Sequence, residues 1–308
     1  MRNAFIRYVQ EYAKNHPELI MLTADMGFSV FEEFRDLYPK QFYNVGIAEA
    51  TMTGMAAGLA LQNYRPIIYS IIPFVTMRNL EQIRVDICYQ NLPVIIVGVG
   101  GGFSYGALGS THHAIEDISL MRSLPNMQVL VPSDPIETKA CMQYAFDSNH
   151  PAYIRLGKNN EPNWHENSIL LNEGLLLIDD GEDTALIGVG SIVNEVLKAK
   201  AQILKNGYNV AVYSLPVVKP VPIEELKNIA KKYNKMIVIE EHIVNGGAGT
   251  AILEAFNERG IKTDGLLYRI GLPDEYPKKY GSQAYLFNHY ELSGDNLAKR
   301  VLKIIKSL

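Results

Sequence analysis

Glu49 is the one carboxylate in the otherwise apolar stretch GIAEATMTGMAAGLA, which follows the strand-like FYNV. A glutamate so placed opens a helix. There it serves the positive end of the helix dipole or, held away from water, exchanges a proton with a bound group. Ala50, Gly54 and Gly58 recur at intervals of four and form a small-residue stripe on one helix face. Glycine inside a helix costs about 1 kcal/mol against alanine, and the close approach of another helix is the compensation this spacing implies. The second suggestive segment is GVGGGFSYGALGSTHHAIEDI. Its glycines (Gly98, Gly100, Gly101, Gly102, Gly106 and Gly109) follow a buried strand, which calls for a sharp bend or a close approach to a ligand. His112 and His113 are adjacent, so in an extended segment their side chains point opposite ways. That argues against a shared metal and for one histidine facing a cleft as a proton-transfer or hydrogen-bonding group. The later turns GVGSIVNE and EEHIVNGGAGT lack the third glycine of the dinucleotide fingerprint, and no GxxxxGK[ST] loop occurs.

These groups need a scaffold, and the apolar runs supply it. LIMLTA, PIIYSII, PVIIVGV, MQVLVP and AYIRL read as buried strands, with helical patterns such as AEATMTGMAAGLALQ and NLEQIRVDICYQ between them. Near-continuous Val/Ile runs alternating with helices indicate a parallel sheet covered on both faces. The stretch GKNNEPNWHENSILLN has no periodicity and reads as a linker, after which the alternation resumes with TALIGVG, NVAVYSL and MIVIEE. The fold expected is two tandem open, mostly parallel α/β domains, residues 1–165 and 166–308. The chain has 308 residues, 47% hydrophobic and 20% charged, with net charge −4. The absence of a basic run excludes general nucleic-acid binding. No apolar stretch reaches the roughly 18 residues of a membrane span, and the N-terminal segment is no secretory signal. Cys88 and Cys141 are too few for a disulfide framework, so a cytoplasmic location is expected. A charged fraction below the usual ~25% fits either a large core or surface hidden against other chains.

In combination, FYNVGIAEATMTGMAAGLA, GALGSTHHAIEDISLMRSLPNMQVLVPSDPIE and VIEEHIVNGGAG resemble, in order and over nearly the whole chain, thiamine-diphosphate enzymes of the transketolase type. The resemblance is to the pyrimidine-binding and C-terminal domains. The GDG motif and downstream Asn of the diphosphate-binding domain are not found. The resemblance therefore implies the β subunit of a split transketolase. An α subunit would supply the diphosphate-binding domain and the Mg²⁺ ligands, leaving no metal ligand on this chain, in an α2β2 assembly. The implied reaction moves a two-carbon ketol unit from a ketose or ketose-phosphate donor to an aldose acceptor. Rival readings are the β subunit of a 2-oxoacid dehydrogenase, a deoxyxylulose-phosphate synthase, or a non-catalytic scaffold subunit.

Residue by residue, Glu49 matches the family's catalytic glutamate, whose carboxyl favours the imino tautomer of the aminopyrimidine and so helps deprotonate the thiazolium carbon. His112 matches the histidine that contacts substrate oxygens. Phe74, in SIIPFVTMR, falls where the family stacks an aromatic ring on the pyrimidine. Arg2 and Ser29 match residues that bind the sugar's phosphate. Arg155 and Lys158 fall in the segment that supplies a further cationic contact, and a lysine there binds phosphate as a point charge rather than a fork. Leu108 replaces a usual aspartate and Gly100 a usual phosphate-binding histidine. These departures remove a hydroxyl acceptor and a cation-capable donor, and imply an unusual sugar.

Overall fold

The Val/Ile/Leu runs form the strands, as their periodicity requires. The computed structural model describes residues 1–27, 30–158, 161–171 and 174–307. The strands are β1 (Leu19–Thr23), β2 (Phe42–Asn44), β3 (Arg65–Ile71), β4 (Ile95–Val99), β5 (Gln128–Leu130) and β6 (Ala152–Leu156), then β7 (Leu176–Asp179), β8 (Thr184–Val189), β9 (Ala211–Ser214), β10 (Val217–Lys219), β11 (Lys235–Ile243) and β12 (Leu267–Leu272). The first sheet runs β10-β5-β6-β4-β3-β1-β2 and the second β12-β11-β8-β9-β7. Both are open. All pairings in the first are parallel except that of β10, and all in the second except that of β7.

Alternation along β1 shows how the sheet is buried on both faces. Leu19 and Met21 pack with Phe5 and Val9 of the helix Arg2–Ala13 and with Cys141 and Met142 of the helix Pro135–Asp147. Ile20 and Leu22 face the other way, against Met52, Ala56 and Ala57 of the helix Glu49–Leu61. That second core continues into Ala185, Ile187, Met236 and Val238 of the second sheet. The two domains therefore share one apolar interior.

The exchange of strands goes further than the linker suggests. β10 lies beyond residue 166, yet it pairs antiparallel with β5 (Val217 opposite Leu130) and forms the edge of the first sheet. Lys219 Nζ fixes it there, donating to the carbonyls of Arg122 (2.9 Å) and Leu124 (2.5 Å).

A buried polar junction joins the domains. Arg155, 3% exposed, donates Nε to Asp117 Oδ2 at 2.9 Å, and Nη2 to the carbonyls of Ala114 at 2.9 Å and Glu241 at 3.0 Å. Tyr153 Oη donates to the same Asp117 oxygen at 2.7 Å. Asp117 is fully buried and cannot lose its cation without leaving that charge, or its partner's, unpaired. Asp117→Asn is expected to cost about 3–5 kcal/mol, the range for breaking one side of a buried pair. Urea unfolding of the isolated chain measures it, and a loss under about 1 kcal/mol would show the junction to be dispensable.

Candidate functional site

The candidate residues are brought together by topology. Glu49 follows β2, Phe74 follows β3, the glycine loop with His112 follows β4, and Lys158 follows β6. All stand at the carboxyl edge of the parallel sheet, where crossover connections leave a crevice for ligands.

Glu49 opens its helix and is 2% exposed. Its carbonyl accepts from Thr53 Oγ1 at 3.0 Å and from Asn79 Nδ2 at 3.4 Å, and Asn79 Nδ2 also donates to Thr53 Oγ1 at 2.5 Å. A buried amide thus holds the backbone from which the carboxylate projects. Both carboxylate oxygens accept from Arg78 Nη1, at 2.9 and 2.8 Å. The Arg78 guanidinium carbon lies 4.2 Å from the Phe74 ring centroid, within cation–π range. Phe74 meets the His112 ring edge-on at 5.1 Å, and the Tyr105 ring lies 6.1 Å beyond it. Lys158 Nζ stands 4.1 Å over the Tyr105 ring. Burial raises the Tyr105 hydroxyl pKa, and the Arg2 charge works against that rise, which puts Arg2 in the same neighbourhood. A cavity of about 720 Å³ adjoins this strip through Tyr105, Leu108 and Lys158 and reaches Asn194, Lys198 and Gln283 of the second domain. Glu49, Phe74 and His112 do not line it.

The two histidines have separate fates. His113 is 2% exposed and its Nε2 lies 3.1 Å from the Gly106 carbonyl, so it braces the loop from inside. His112 is half-buried, with Nδ1 2.9 Å from Thr111 Oγ1. Burial lowers the His112 pKa, and the neighbouring His113 and Arg78 lower it further. A neutral imidazole offers one donor and one acceptor, the pair needed to handle a carbonyl or hydroxyl oxygen.

Gly100 has φ +93°, and a Cβ there would stand 2.2 Å from the Tyr105 ring. The side chain expected at this position is thus excluded by an aromatic ring that already fills its space. Leu108 is 54% exposed beside the same loop. Gly102, φ +59°, leaves room for the Glu241 carboxylate, which a Cβ would meet at 2.0 Å. Glu241 Oε1 accepts from the Phe103 amide at 2.6 Å and from Gln283 Nε2 at 3.0 Å, tying the base of the loop to the second domain.

One of the residues picked from the sequence is turned away from the strip. Arg155 is turned inward and its cation is spent on Asp117, which corrects the expectation of a substrate contact. Ser29 lies outside the described residues. Sequence reasoning passed over Arg78 and Asn79. Arg78 follows Phe74 by four positions, a spacing that carries a cation back over a ring when the chain turns, but nothing in SIIPFVTMR announces the turn.

The residues present fit an aminopyrimidine. A planar N–H donor already lies between the Phe74 face and the Glu49 carboxylate, and the buried Asn79 Oδ1 has no hydrogen-bond partner among the described residues. Asp134, Glu137 and His165 bring ligand atoms within 4.8 Å of one another, and their carboxylate oxygens accept hydrogen bonds from neighbouring residues. Asp134 accepts from the amides of Glu137 (2.6 Å) and Trp164 (2.8 Å). Glu137 accepts from the Ser133 amide (2.7 Å) and Ser214 Oγ (2.9 Å), and its other oxygen lies 3.0 Å from His165 Nε2. This cluster caps a helix and ties the linker to it. No helix among the described residues is long and apolar enough to cross a membrane.

Two tandem α/β domains whose first sheet gathers a buried glutamate, an aromatic face and a histidine at its carboxyl edge define a class that sequence comparison names. Residues 1–163 match the pyrimidine-binding domain of transketolase and residues 174–297 its C-terminal domain, and the chain belongs to the transketolase family. It is 31% identical to a subunit of the apulose-4-phosphate transketolase of Phocaeicola vulgatus, covering 99% of this chain and 97% of that protein. The corresponding subunit from Actinobacillus succinogenes is 32% identical, with 99% and 98% covered. A solved split-gene transketolase, an inactive beta4 tetramer, superposes with a TM-score of 0.87 at 30% identity over 98% of this chain and 97% of that one.

The Glu241 tie predicts a pH dependence. Burial raises this carboxyl from 4.5 to about 7, against the opposing pull of Gln283 and Arg155. Above pH 4.5 the unfolded chain releases the proton that the folded chain keeps, so the contribution present at lower pH is lost as pH rises to about 7. The stability of the wild type relative to Glu241→Gln should therefore fall between these pH values, on the order of 3 kcal/mol in all. Urea midpoints of the two proteins that stay parallel across pH 4.5–7 would contradict this.

Proposed function

We propose that this chain is the β subunit of a split thiamine-diphosphate-dependent transketolase, which transfers a two-carbon ketol unit from a ketose phosphate to an aldose. The observation that carries the reading is the buried Glu49 carboxylate facing a planar nitrogen donor stacked on Phe74. Thiamine diphosphate, when bound, supplies the carbon nucleophile that no side chain can. This chain's part is to hold the pyrimidine on Phe74, to share a proton with its ring nitrogen through a Glu49 oxygen, and to keep water from that proton by burial. His112 donates to or accepts from a substrate oxygen. Arg2 and Lys158 attract a phosphate, and Ser29 is carried with them from the resemblance. Magnesium and diphosphate ligands belong to the α subunit in this reading.

The helix Glu49–Leu61 supports a multichain enzyme. Ala50, Gly54 and Gly58 are all exposed, and a Cβ at either glycine would meet nothing within 4 Å. Among the described residues nothing packs closely on these glycines, which supports compensation by another chain. Ile47, 77% exposed, and Met55, 41% exposed, extend this apolar face. An α2β2 assembly in the cytoplasm is part of this reading. The relatives' names, together with Tyr105 in the space of a usual histidine and Leu108 in place of aspartate, favour a modified or otherwise unusual sugar phosphate, with apulose 4-phosphate the first to test.

A deoxyxylulose-phosphate synthase of Clostridium acetobutylicum is also 30% identical over 97% of this chain, although the chain spans only 48% of that protein. Pyruvate decarboxylation by the assembled complex would therefore replace the present reading.

Tight, magnesium-dependent cofactor binding is expected only when the α subunit is present. Calorimetry on the isolated chain and on the complex tests this, and tight binding by the isolated chain would refute the split site. In the complex, Glu49→Gln should lower kcat by at least about 10²-fold, and unchanged turnover would favour a scaffold. Gly54→Leu should leave the isolated chain folded by circular dichroism but block assembly by size-exclusion chromatography. Normal assembly of that variant would move the interface elsewhere.

A further inference from the structure

Building on that function, we propose that Arg78 is a displaceable stand-in for the aminopyrimidine. In this chain its guanidinium lies between Phe74 and Glu49, and cofactor binding exchanges one planar nitrogen donor for another.

The argument begins with the cost of burial. A carboxylate 2% exposed, as Glu49 is, needs a donor in every state of the protein. Before any ligand arrives that donor is Arg78, whose Nη1 reaches both oxygens at 2.8–2.9 Å. The same guanidinium lies 4.2 Å from the centre of the Phe74 ring. A flat group that donates N–H to a carboxylate while resting on an aromatic face is what arginine offers and lysine does not. A pyrimidine ring stacked on Phe74 and donating to Glu49 would use the same acceptor and the same aromatic face. The two cannot be in place together.

The exchange is feasible because Arg78 has a way out. It sits in the turn after the short helix Ile72–Val75, its side chain is 45% exposed, and it has no other hydrogen-bond partner among the described residues. An ion pair with one half-exposed partner is modest in strength, enough to hold the carboxylate yet within the reach of a ligand to replace. The device keeps the Glu49 carboxylate paired with a protein donor and withdraws when a better donor arrives. Its cost is a weaker apparent affinity, because the ligand must first displace the side chain.

Two measurements test this. A double-mutant cycle with Glu49→Gln and Arg78→Gln, followed by urea unfolding of the isolated chain, reads the pair without any cofactor. The shift of midpoint for the double variant should be smaller than the sum of the single shifts. Calorimetric titration of thiamine diphosphate with magnesium into the α-subunit complex then reads the exchange. Arg78→Gln should bind about fivefold tighter than wild type, roughly 1 kcal/mol, with Arg78→Lys in between. Equal or weaker binding by Arg78→Gln would overturn the stand-in and make Arg78 a lasting contact of the bound state. An uncoupled cycle in a complex that still binds the cofactor would sink this proposal alone. A coupled cycle in a wild-type complex that binds no cofactor would end both the functional reading and the exchange.

Discussion

The buried pairing of Arg155 with Asp117 is the constraint on which the rest of the molecule depends. One guanidinium neutralises a carboxylate at the start of a helix, donates to the Ala114 carbonyl at the end of the glycine loop, and reaches the main chain of β11 in the other domain. Remove its charge and three segments lose a shared anchor. Around it the interior is unusually rich in titratable groups. Burial raises Glu240 and Glu241 to about 7 and lowers His242 to about 4, so both acids and the imidazole are pushed toward neutrality. The Arg155 charge pulls against the rise in both acids, so its influence extends beyond Asp117.

That junction is some way from the candidate chemistry, yet it positions it. The loop carrying His112 is closed at its base by the bridge between Gly102 and Ala114, and this bridge is gripped by Arg155 on one strand and Glu241 on the other. Glu49 and Phe74 take their places from the sheet edge and from Asn79. The site is therefore assembled from two independent supports, one in the pyrimidine-binding domain and one across the domain junction. Its outer side, with the glycines of the helix Glu49–Leu61 open to solvent, is finished by no described residue of this chain.

Much of this was legible in the residues. Val/Ile runs broken by helical stretches announced two parallel α/β units, because strands covered on both faces have no polar alternation to obscure them. Glu49 and His112 stood out through the family resemblance, because a lone acid in the first turn of a helix more often serves the helix dipole. Arg155 was misread because a cation near a phosphate-binding segment looks the same whether it faces solvent or a buried aspartate. Only the burial of Asp117, set by packing far along the chain, separates the two. β10 was invisible for a different reason: three residues carry no periodicity, and their pairing partner lies in the other half of the sequence. Arg78 depended on a turn whose geometry no local pattern encodes.

The edge strand β10 bears on how the protein comes into being. As the chain leaves the ribosome, β5 remains an unpaired edge of the first sheet until the chain has been made through Lys219. An open edge is a template for association with other chains, so the nascent first domain is exposed to mispairing for the time it takes to synthesise β7, β8 and β9. The two domains thus mature as one unit. A division of the gene between the two domains would separate a sheet from its own last strand.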